Sequence, residues 1–325
     1  MRLIRNPILC NYYVTYRCNA TCSFCDIWEK PSPYISLENV KQNLIDLKKL
    51  GVKVIDFTGG EPLLHREIDE MLRLAKDQGF ITTLTTNTLL YPKWAEKIKG
   101  LVDMLHFSLD AADKETHDLS RGVPCFDSLM ASIALAKSLG EKPDILFTVF
   151  EKNYTDIAAV YENICQPNNL VLILNPVFEY NHKGSTLSAE AMNAALYWGR
   201  QKGIYLNAAF IQLRKDGGNN TKDPVCKAAS TTIVISPHNK LVLPCYHLGL
   251  EELPIEDKLY DLYHSENVKQ QLELEGKHSA CEGCVINCYM QPSFAVNMNK
   301  YWWLALPSTL KYNVMKDTWK KMICK

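Results

Sequence analysis

The stretch NYYVTYRCNATCSFCDIW, residues 11–28, joins a run of strand-forming side chains to a loop that carries three cysteines. Residues 11–16 are rich in aromatic and β-branched side chains, which predicts a strand. Cys18, Cys22 and Cys25 follow at once, within eight positions. Thiolates bind zinc and iron–sulfur clusters, and a structural zinc site is closed by four ligands. Three thiols therefore predict a metal centre with one open position, located where a strand ends.

Segments of strand and helix character alternate along the first two thirds of the chain. Strands are predicted at 11–16, 52–57, 80–86, 103–109, 144–150 and 170–178, and helices at 36–51, 66–79, 92–100, 125–140, 154–165 and from about 188 to 203. Ser36 and Gly51 are placed to cap the first helix. Six β/α units predict a parallel sheet with right-handed crossovers, and they are too few for a closed eight-stranded barrel. We expect an α/β fold, either doubly wound or a partial barrel, with its chemistry at the carboxyl ends of the strands.

The composition of the chain limits its class. Of 325 residues, 47% are hydrophobic and 22% are charged, which is enough for a large core in one or two domains. Basic and acidic residues number 36 each, so the net charge gives no argument for a nucleic-acid partner or an anionic membrane surface. The sequence has no run of 18 apolar residues and no basic start that leads into an apolar stretch. We expect a soluble, cytoplasmic protein that does not bind nucleic acid.

The pattern changes after about residue 210. A polar, glycine-rich connector at 214–224 leads to a predicted hairpin at 231–245, with Pro-His-Asn-Lys as its turn, and to a short helix near 265–275. Five further cysteines, called the late cysteines below, are Cys226, Cys245, Cys281, Cys284 and Cys288. We expect a domain at 1–210 and a smaller module at 211–325 that is organised by metal. The remaining cysteines, predicted to be buried structural thiols, are Cys10, Cys125, Cys165 and Cys324.

Two motifs resemble those of a known enzyme superfamily. CNATCSFC, residues 18–25, matches the CxxxCxxC motif of the radical S-adenosylmethionine (SAM) enzymes, and GGEP, 59–62, follows the second predicted strand as that superfamily's next motif does. The resemblance covers residues from about 8 to 210 and implies a partial (β/α)6 TIM-type barrel. It implies that the three cysteines bind a [4Fe–4S] cluster whose open iron is chelated by SAM. An electron, from a donor such as a flavodoxin or ferredoxin, then cleaves SAM to a 5′-deoxyadenosyl radical that abstracts a hydrogen atom from the substrate.

The resemblance also assigns residues to SAM near the two motifs. Gly59, Gly60 and Glu61 are expected to hold the methionine amine, the glycines through their backbone and the glutamate through its side chain. Phe24, the aromatic residue before the last cysteine of the loop, is expected to place backbone polar groups against the adenine.

Three later positions resemble SAM-contacting segments of the family. TTNT (85–88) lies where related enzymes often have Thr-Asn-Gly, which makes Asn87 a candidate lining residue, with Thr88 in place of the glycine. HFSLDAAD (106–113) resembles the fourth-strand Ser-Leu-Asp segment and assigns Ser108 to the ribose or carboxylate of SAM. SRG (120–122) resembles a frequent Arg-Gly, so Arg121 is expected either to pair with the SAM carboxylate or to be a surface arginine.

The late cysteines resemble the auxiliary-cluster extensions called SPASM and, in shorter form, twitch domains. Two auxiliary clusters need more than five cysteines, so the resemblance implies a single auxiliary [4Fe–4S] cluster. Its expected ligands are Cys226, Cys245, Cys281 and Cys284, with Cys288 as the alternate. A zinc ribbon is the alternative for these thiols. The auxiliary cluster would accept the electron left after hydrogen abstraction or bind the substrate itself.

The sequence leaves the substrate open. Glu179, Tyr180 and His182 follow the sixth strand and are candidates to bind substrate or transfer a proton, with a solvated loop as the alternative. The aromatic segment 292–313 is expected to be core or a lid over the barrel, or else to contact a lipid-like substrate. We expect a radical SAM enzyme, an oxidoreductase or modifying enzyme acting on a small metabolite or peptide. The alternatives are a hydrophobic or lipid precursor as substrate and, from another class, a non-catalytic iron–sulfur electron carrier or redox sensor.

Overall fold

The computed structural model describes residues 3, 6–178, 187–256 and 258–316, and one ten-stranded sheet runs through them. The strands are β1 (Leu9–Thr15), β2 (Val54–Gly59), β3 (Ile81–Thr86), β4 (Met104–Ser108), β5 (Asp144–Val149), β6 (Leu172–Pro176), β7 (Ile204–Tyr205), β8 (Thr232–Ile235), β9 (Lys240–Leu243) and β10 (Glu251–Pro254). Their order across the sheet is β10-β9-β8-β1-β2-β3-β4-β5-β6-β7. Strands β1 to β7 pair in parallel, each with the next, and the sheet does not close. The expected α/β fold, with the parallel sheet of a partial TIM-type barrel, is confirmed.

Helices connect the parallel strands much as the sequence predicts. They are α1 (Leu37–Leu50), α2 (Ile68–Asp77), α3 (Tyr91–Ile98), α4 (Lys114–Arg121), α5 (Phe126–Ser138), α6 (Ile157–Val160), α7 (Ala189–Gly199), α8 (Ala208–Lys215), α9 (Ala228–Thr231), α10 (Leu259–Tyr263), α11 (Glu266–Glu273), α12 (Asn287–Phe294) and α13 (Lys300–Lys316). The caps of α1 are confirmed, because the Ser36 side chain accepts a hydrogen bond from the Asn39 N–H and Gly51 ends the helix at φ 92°. Helices α4, α8, α9, α10, α12 and α13 were not predicted.

Helix α13 corrects the interpretation of the aromatic segment as a lid. It packs on α8 and on the edge strand β7, and the Tyr312 hydroxyl donates a hydrogen bond to Asp144 Oδ2 at 2.6 Å. Asp144 is the first residue of β5, so this contact marks the amino ends of the strands, opposite the cysteine loop. The helix buries Tyr301 and Ala305 in the core and leaves Trp303 58% exposed. No helix in the described ranges is both long and apolar enough to cross a membrane.

The predicted hairpin is confirmed, and it belongs to the same sheet as the barrel strands. β8 and β9 pair antiparallel, and β8 hydrogen-bonds in parallel to β1, with Tyr12 opposite Ile235. Ile233 and Leu241 of the hairpin lie in the same hydrophobic core as Tyr12. The sheet and its core therefore continue across residue 210, and the division of the chain there stays a prediction.

The inner face of the barrel strands is polar. On β1, Cys10 and Tyr12 point into the core beneath the helices, whereas Asn11 alternates to the other face. On β2, Asp56 accepts a hydrogen bond from the Thr83 hydroxyl of β3. Burial raises the pKa of Asp56 to about 6, despite this hydrogen bond.

Candidate functional site

The three-cysteine loop leaves the carboxyl end of β1, next to the ends of β2, β3 and β4. Cys18, Cys22 and Cys25 are each partly buried, and the Cys25 N–H donates a hydrogen bond to the Cys22 carbonyl at 3.2 Å. Burial, with a smaller contribution from the neighbouring loop thiols, raises the pKa of Cys18 to about 12 and that of Cys25 to about 11. The loop thus gathers three thiols at the mouth of the barrel, and a metal that binds them would displace their protons.

Two glycines let the end of β2 lie directly against this loop. The Gly60 N–H donates to the Thr15 carbonyl and the Glu61 N–H to the Arg17 carbonyl, both at 2.9 Å. A Cβ on Gly59 would meet Thr15 O at 2.0 Å, and one on Gly60 would meet Arg17 O at 2.2 Å. Only glycine fits at either position, because the obstacle is backbone that cannot turn aside. The GGEP motif therefore clamps the loop to the sheet.

The Glu61 carboxylate organises the end of β3. It is 1% exposed and accepts hydrogen bonds from the Leu63 N–H, the Thr86 hydroxyl and the Asn87 N–H at 2.9 to 3.0 Å. Burial raises the pKa of Glu61 to about 7, although these three hydrogen-bond donors act to lower it. Its predicted contact with the methionine amine of SAM stays a prediction.

Asn87 reaches from β3 to the cysteine loop. Its side-chain N–H group lies 2.8 Å from Asn19 Oδ1 and 3.9 Å from Cys18 Sγ. Thr88, which stands where the family often has glycine, adopts φ 70° and is fully buried. A β-branched residue in this region is strained. Thr88 is nonetheless held there, since its carbonyl accepts a hydrogen bond from the Ser128 hydroxyl.

Arg121 lies in the site, so its interpretation as a surface arginine is wrong. The side chain is 8% exposed, and its Nε lies 2.7 Å from Asp110 Oδ2. The guanidinium also lies 5.3 Å from the Phe24 ring centroid and donates toward Cys22 Sγ at 3.9 Å. Its predicted pairing with the SAM carboxylate stays a prediction, and the structure adds Asp110 as its partner within the chain.

The end of α4 holds the cysteine loop through its backbone. The Thr21 N–H donates to the Arg121 carbonyl and the Ser23 N–H to the Ser120 carbonyl, both at 3.1 Å. Gly122 follows at φ 64°, where a Cβ would meet Thr21 Oγ1 at 2.3 Å. The SRG motif therefore shapes the loop, whatever its arginine binds.

Ser108 ends β4 at the same mouth and is 7% exposed. Glu179, Tyr180 and His182 lie outside the described residues, as does Cys324.

The late cysteines come together at one place beside the barrel. Burial raises the pKa of Cys226 well above its ordinary value, and the nearby thiols of Cys284 and Cys245 raise it further. The Cys245 thiol has Cys284 and Cys281 as neighbours, and burial raises its pKa to about 12. Cys288, in α12, has Cys245 and Cys284 as neighbours and lies 3.9 Å from His247 Nε2. Cys245, Cys281 and Cys284 line the same cavity, and the Cys226 and Cys288 thiols interact electrostatically with Cys245 and Cys284. Which of the five would bind a cluster stays a prediction.

Asn219 assembles this cluster from within the segment predicted to be a polar connector. Its side chain is 1% exposed, accepts from the Cys226 N–H at 3.1 Å and donates to the Cys281 carbonyl at 3.1 Å. Its backbone N–H donates to the Cys284 carbonyl at 2.9 Å. One buried asparagine thus ties three late cysteines together. Polar residues in a glycine-rich stretch indicated a solvated loop, so the sequence pattern concealed it.

Arg214 connects the late cysteines to the mouth of the barrel. Its guanidinium donates to the Pro176 and Val177 carbonyls at the end of β6 and to Asn287 Oδ1 in α12, at 2.9 to 3.2 Å. Burial lowers its pKa to about 10, whereas the Cys284 thiol acts in the opposite direction. A cation therefore lies next to the late thiols at the point where they approach the barrel.

A cavity of about 510 Å³ opens between β6 and the late cysteines. Most of its wall is apolar, and its lining includes Phe178, Met192, Ile286, Cys245, Cys281 and Cys284. A hollow of about 590 Å³ at the opposite end of the strands, near Lys142 and Lys202, contains none of the predicted site residues. In the part of the chain that the structure describes, no three His, Cys, Asp or Glu side chains converge on a single metal ion. A four-iron cube holds its sulfur ligands further apart than one ion does, so this finding concerns single ions.

Comparison with known proteins agrees with this geometry. Residues 12–164 match the family model described as "Radical SAM superfamily". An AdoMet-dependent heme synthase of Methanosarcina barkeri is 30% identical over an alignment of 162 positions that covers 48% of this chain and 46% of that protein. A protein of the same name from Nitratidesulfovibrio vulgaris is 25% identical over an alignment of 322 positions, gaps included, that covers 85% of this chain and 86% of that one. The first alignment thus spans about half of the relative, and the second most of it.

Solved structures share the fold over most of the chain. Streptococcus suis SuiB bound to S-adenosylmethionine superposes with a TM-score of 0.66 at 18% identity, covering 81% of this chain and 66% of SuiB. The enzyme anSMEcpe with bound AdoMet and the Kp18Cys peptide superposes with a TM-score of 0.66 at 17% identity, covering 96% of this chain and 99% of that one. At these identities the likeness is one of fold.

Proposed function

Residues 12–164 form a radical SAM domain, and on this premise we propose that the protein is an enzyme that reductively cleaves SAM and abstracts a hydrogen atom from its substrate. Domains of this superfamily bind a [4Fe–4S] cluster and SAM. The observation that carries the proposal is the loop of Cys18, Cys22 and Cys25, fixed at the barrel mouth by backbone hydrogen bonds from Gly60 and Glu61. Three thiols suit a four-iron cluster that keeps one iron for SAM. An electron carrier has no use for that open iron.

The chain's own residues would bind, orient and shield SAM. The cluster supplies the electron that breaks the sulfonium–carbon bond of SAM. Glu61, with the backbone of Gly59 and Gly60, would receive the methionine amine, and Arg121 would add positive charge beside the SAM carboxylate. Phe24, whose ring lies 4.8 Å from that of Phe150, would place backbone polar groups against the adenine. Asn87 and Ser108 would line the same mouth.

The late cysteines are proposed to hold an auxiliary [4Fe–4S] cluster. The donor set fits, because all five thiols cluster around Cys245 and Cys284 and a cation, Arg214, lies beside them. We keep Cys226, Cys245, Cys281 and Cys284 as the proposed ligands, with Cys288 as the alternate. Such a cluster would take up the electron released when the substrate radical is oxidised.

The apolar cavity next to the late cysteines is the proposed substrate site. Phe178 lines this cavity. Contact of Glu179, Tyr180 and His182 with the substrate stays a proposal from the sequence. An apolar lining favours a substrate with an apolar body, whether a small metabolite or a peptide side chain. Heme synthases among the relatives and peptide-bound radical SAM structures of the same fold make porphyrins and peptides the two substrate classes to test first.

Anaerobic reconstitution followed by dithionite and SAM tests the proposal. We expect about eight irons per chain, in two clusters, and the formation of 5′-deoxyadenosine. Cys22→Ala should abolish cleavage, whereas Cys165→Ala, a buried thiol outside both sites, should retain it. Cys284→Ala should lose about half of the iron and keep some cleavage that is uncoupled from substrate. A wild-type protein with both clusters intact that forms no 5′-deoxyadenosine would be a carrier or a sensor, and the proposal would fail.

A further inference from the structure

Tyr246 lies between the two cysteine sites. It follows Cys245 directly in the sequence, and its side chain is packed among residues that belong to the other site. Its ring stacks on Tyr13 of β1, with centroids 4.4 Å apart and planes 17° apart. Tyr246 is only 8% exposed, so these contacts hold it in a filled, mainly apolar space.

The same ring contacts both ends of the first cysteine loop. Tyr16, just before the loop, lies 5.6 Å from the Tyr246 ring centroid. Lys30, just after the loop, donates a hydrogen bond to the Tyr246 hydroxyl at 2.9 Å, and its Nζ lies 4.4 Å from the ring centroid. A cation placed over an aromatic ring is attracted to its face. One side chain therefore spans residues 16 and 30, which enclose Cys18, Cys22 and Cys25.

The backbone of Tyr246 is fixed from the late-cysteine side. Its N–H donates a hydrogen bond to the Tyr289 hydroxyl at 3.0 Å, and Tyr289 is the neighbour of Cys288 in α12. The ring of His247, the next residue, lies 5.9 Å from the Tyr289 ring centroid. The backbone of Tyr246 is thus tied to the two segments that carry Cys245 and Cys288.

We propose that Tyr246 and Lys30 couple the two cysteine sites, so that closing the late site around its cluster positions the first cysteine loop to bind SAM. This inference rests on the proposed function, since it takes SAM as the ligand of the first site. Both are positioning residues, because they act through the loop. A tyrosine suits this role, since it has a rigid ring with few torsions and a hydroxyl that selects its partner. Coupling between sites is reciprocal, so SAM binding stabilises the late site by the same factor.

The test measures the SAM dissociation constant and the electron paramagnetic resonance spectrum of the reduced protein with SAM, in reconstituted full-length variants of known iron content. Tyr246→Ala should weaken SAM binding about fivefold or more, the lower range of coupling between sites. Tyr246→Phe keeps the stack and should weaken binding less. Lys30→Met should weaken SAM binding and change the spectrum, and Lys30→Arg should keep both as in the wild type. In a Tyr246→Ala background, Lys30→Met should cause no further loss of SAM affinity. Tyr197→Ala, a 59% exposed tyrosine far from both loops, is the matched control.

The outcomes separate the coupling from the proposed function. If Tyr246→Ala and Lys30→Met both bind SAM as the wild type does, with both clusters present, the coupling is refuted. If Tyr246→Ala loses the late irons, its SAM affinity no longer reports on the contact alone. The SAM affinity of Lys30→Met then tests the coupling, because Lys30 lies on the first loop's side of the contact and is not part of the late site. These readouts need no turnover. A wild-type protein that binds SAM without forming 5′-deoxyadenosine refutes the proposed function and leaves this test intact.

Discussion

Replacing Asp110 with asparagine removes the negative half of a buried ion pair beside the cysteine loop. Asp110 Oδ2 lies 2.7 Å from Arg121 Nε, and the two side chains are 1% and 8% exposed. Of the carboxylates in the described residues, only that of Asp110 lies within ion-pair distance of Arg121. In the variant, the Arg121 guanidinium would remain buried without a counter-charge.

The expected cost follows from that burial. Removing one partner of a buried pair typically lowers stability by about 3 to 5 kcal/mol, because the remaining charge is still desolvated. Asparagine keeps an oxygen that accepts a hydrogen bond from the Thr148 N–H, as Asp110 Oδ1 does at 3.2 Å, so we expect the lower end, about 3 kcal/mol. Arg121 and Ser120 also support the cysteine loop through their carbonyls, so first-site iron should fall as well.

Urea unfolding under argon, followed by tryptophan fluorescence, measures this loss. Asp127→Asn is the matched control, because Asp127 pairs with Lys114 on the surface, where the two side chains are 75% and 56% exposed. Exposed pairs contribute about 1 kcal/mol or less. If Asp110→Asn costs no more free energy of unfolding than Asp127→Asn, the interpretation of the pair as a buried support of the loop is wrong.

Three further predictions concern the loop clamp, the late site and the barrel interior. Gly60→Ala should break two backbone hydrogen bonds, which costs about 2 kcal/mol of stability in all, and should lower the iron content of the first site. Gly100→Ala, whose Cβ meets nothing within 4 Å, should keep that iron. Equal iron in both variants would contradict the clamp. Asn219→Ala should cost about 3 kcal/mol, from three lost side-chain hydrogen bonds, and release the late iron, whereas the exposed Asn220→Ala should retain it. Burial raises the pKa of Asp56 to about 6, so the folded protein holds this proton more tightly than the unfolded chain does. The stability that results is present below about pH 4 and is lost as the pH rises through about 6. Asp56→Asn should therefore be more stable than wild type at pH 8 by up to about 3 kcal/mol, and a urea-unfolding difference that persists unchanged at pH 4 would refute this.

Short sequence patterns predicted those helices and strands that are determined by residues close together in the sequence. The caps of α1 at Ser36 and Gly51 and the six parallel strands follow from side chains within a few residues of each other. The pairing of β8 with β1 joins segments more than 200 positions apart, and no local periodicity reports it. Helix α13 contains Pro307 and carries aromatic residues all round, so its helical period was hidden.

The site shows the same limit. The three cysteines are visible from their spacing, and the two glycines and the SRG segment from their resemblance to motifs of the family. Asp110 lay in the quoted Ser-Leu-Asp segment, yet only the tertiary contact with Arg121 shows what it does. Tyr246 and Asn219 had no signal at all, since each works through residues that are distant in the sequence.

The parallel pairing of β8 with β1 has a consequence for any attempt to shorten the protein. Cutting the chain after residue 210 would remove the neighbour of β1 on that side and expose the row of N–H and carbonyl groups that now bond Thr232 to Ile235. A bare, largely apolar strand edge of this kind recruits other strands and aggregates. The strand that leads into the cysteine loop would then be the part of the fragment most prone to aggregation. The segment that carries the late cysteines thus covers this edge of the sheet, in addition to any cluster it binds.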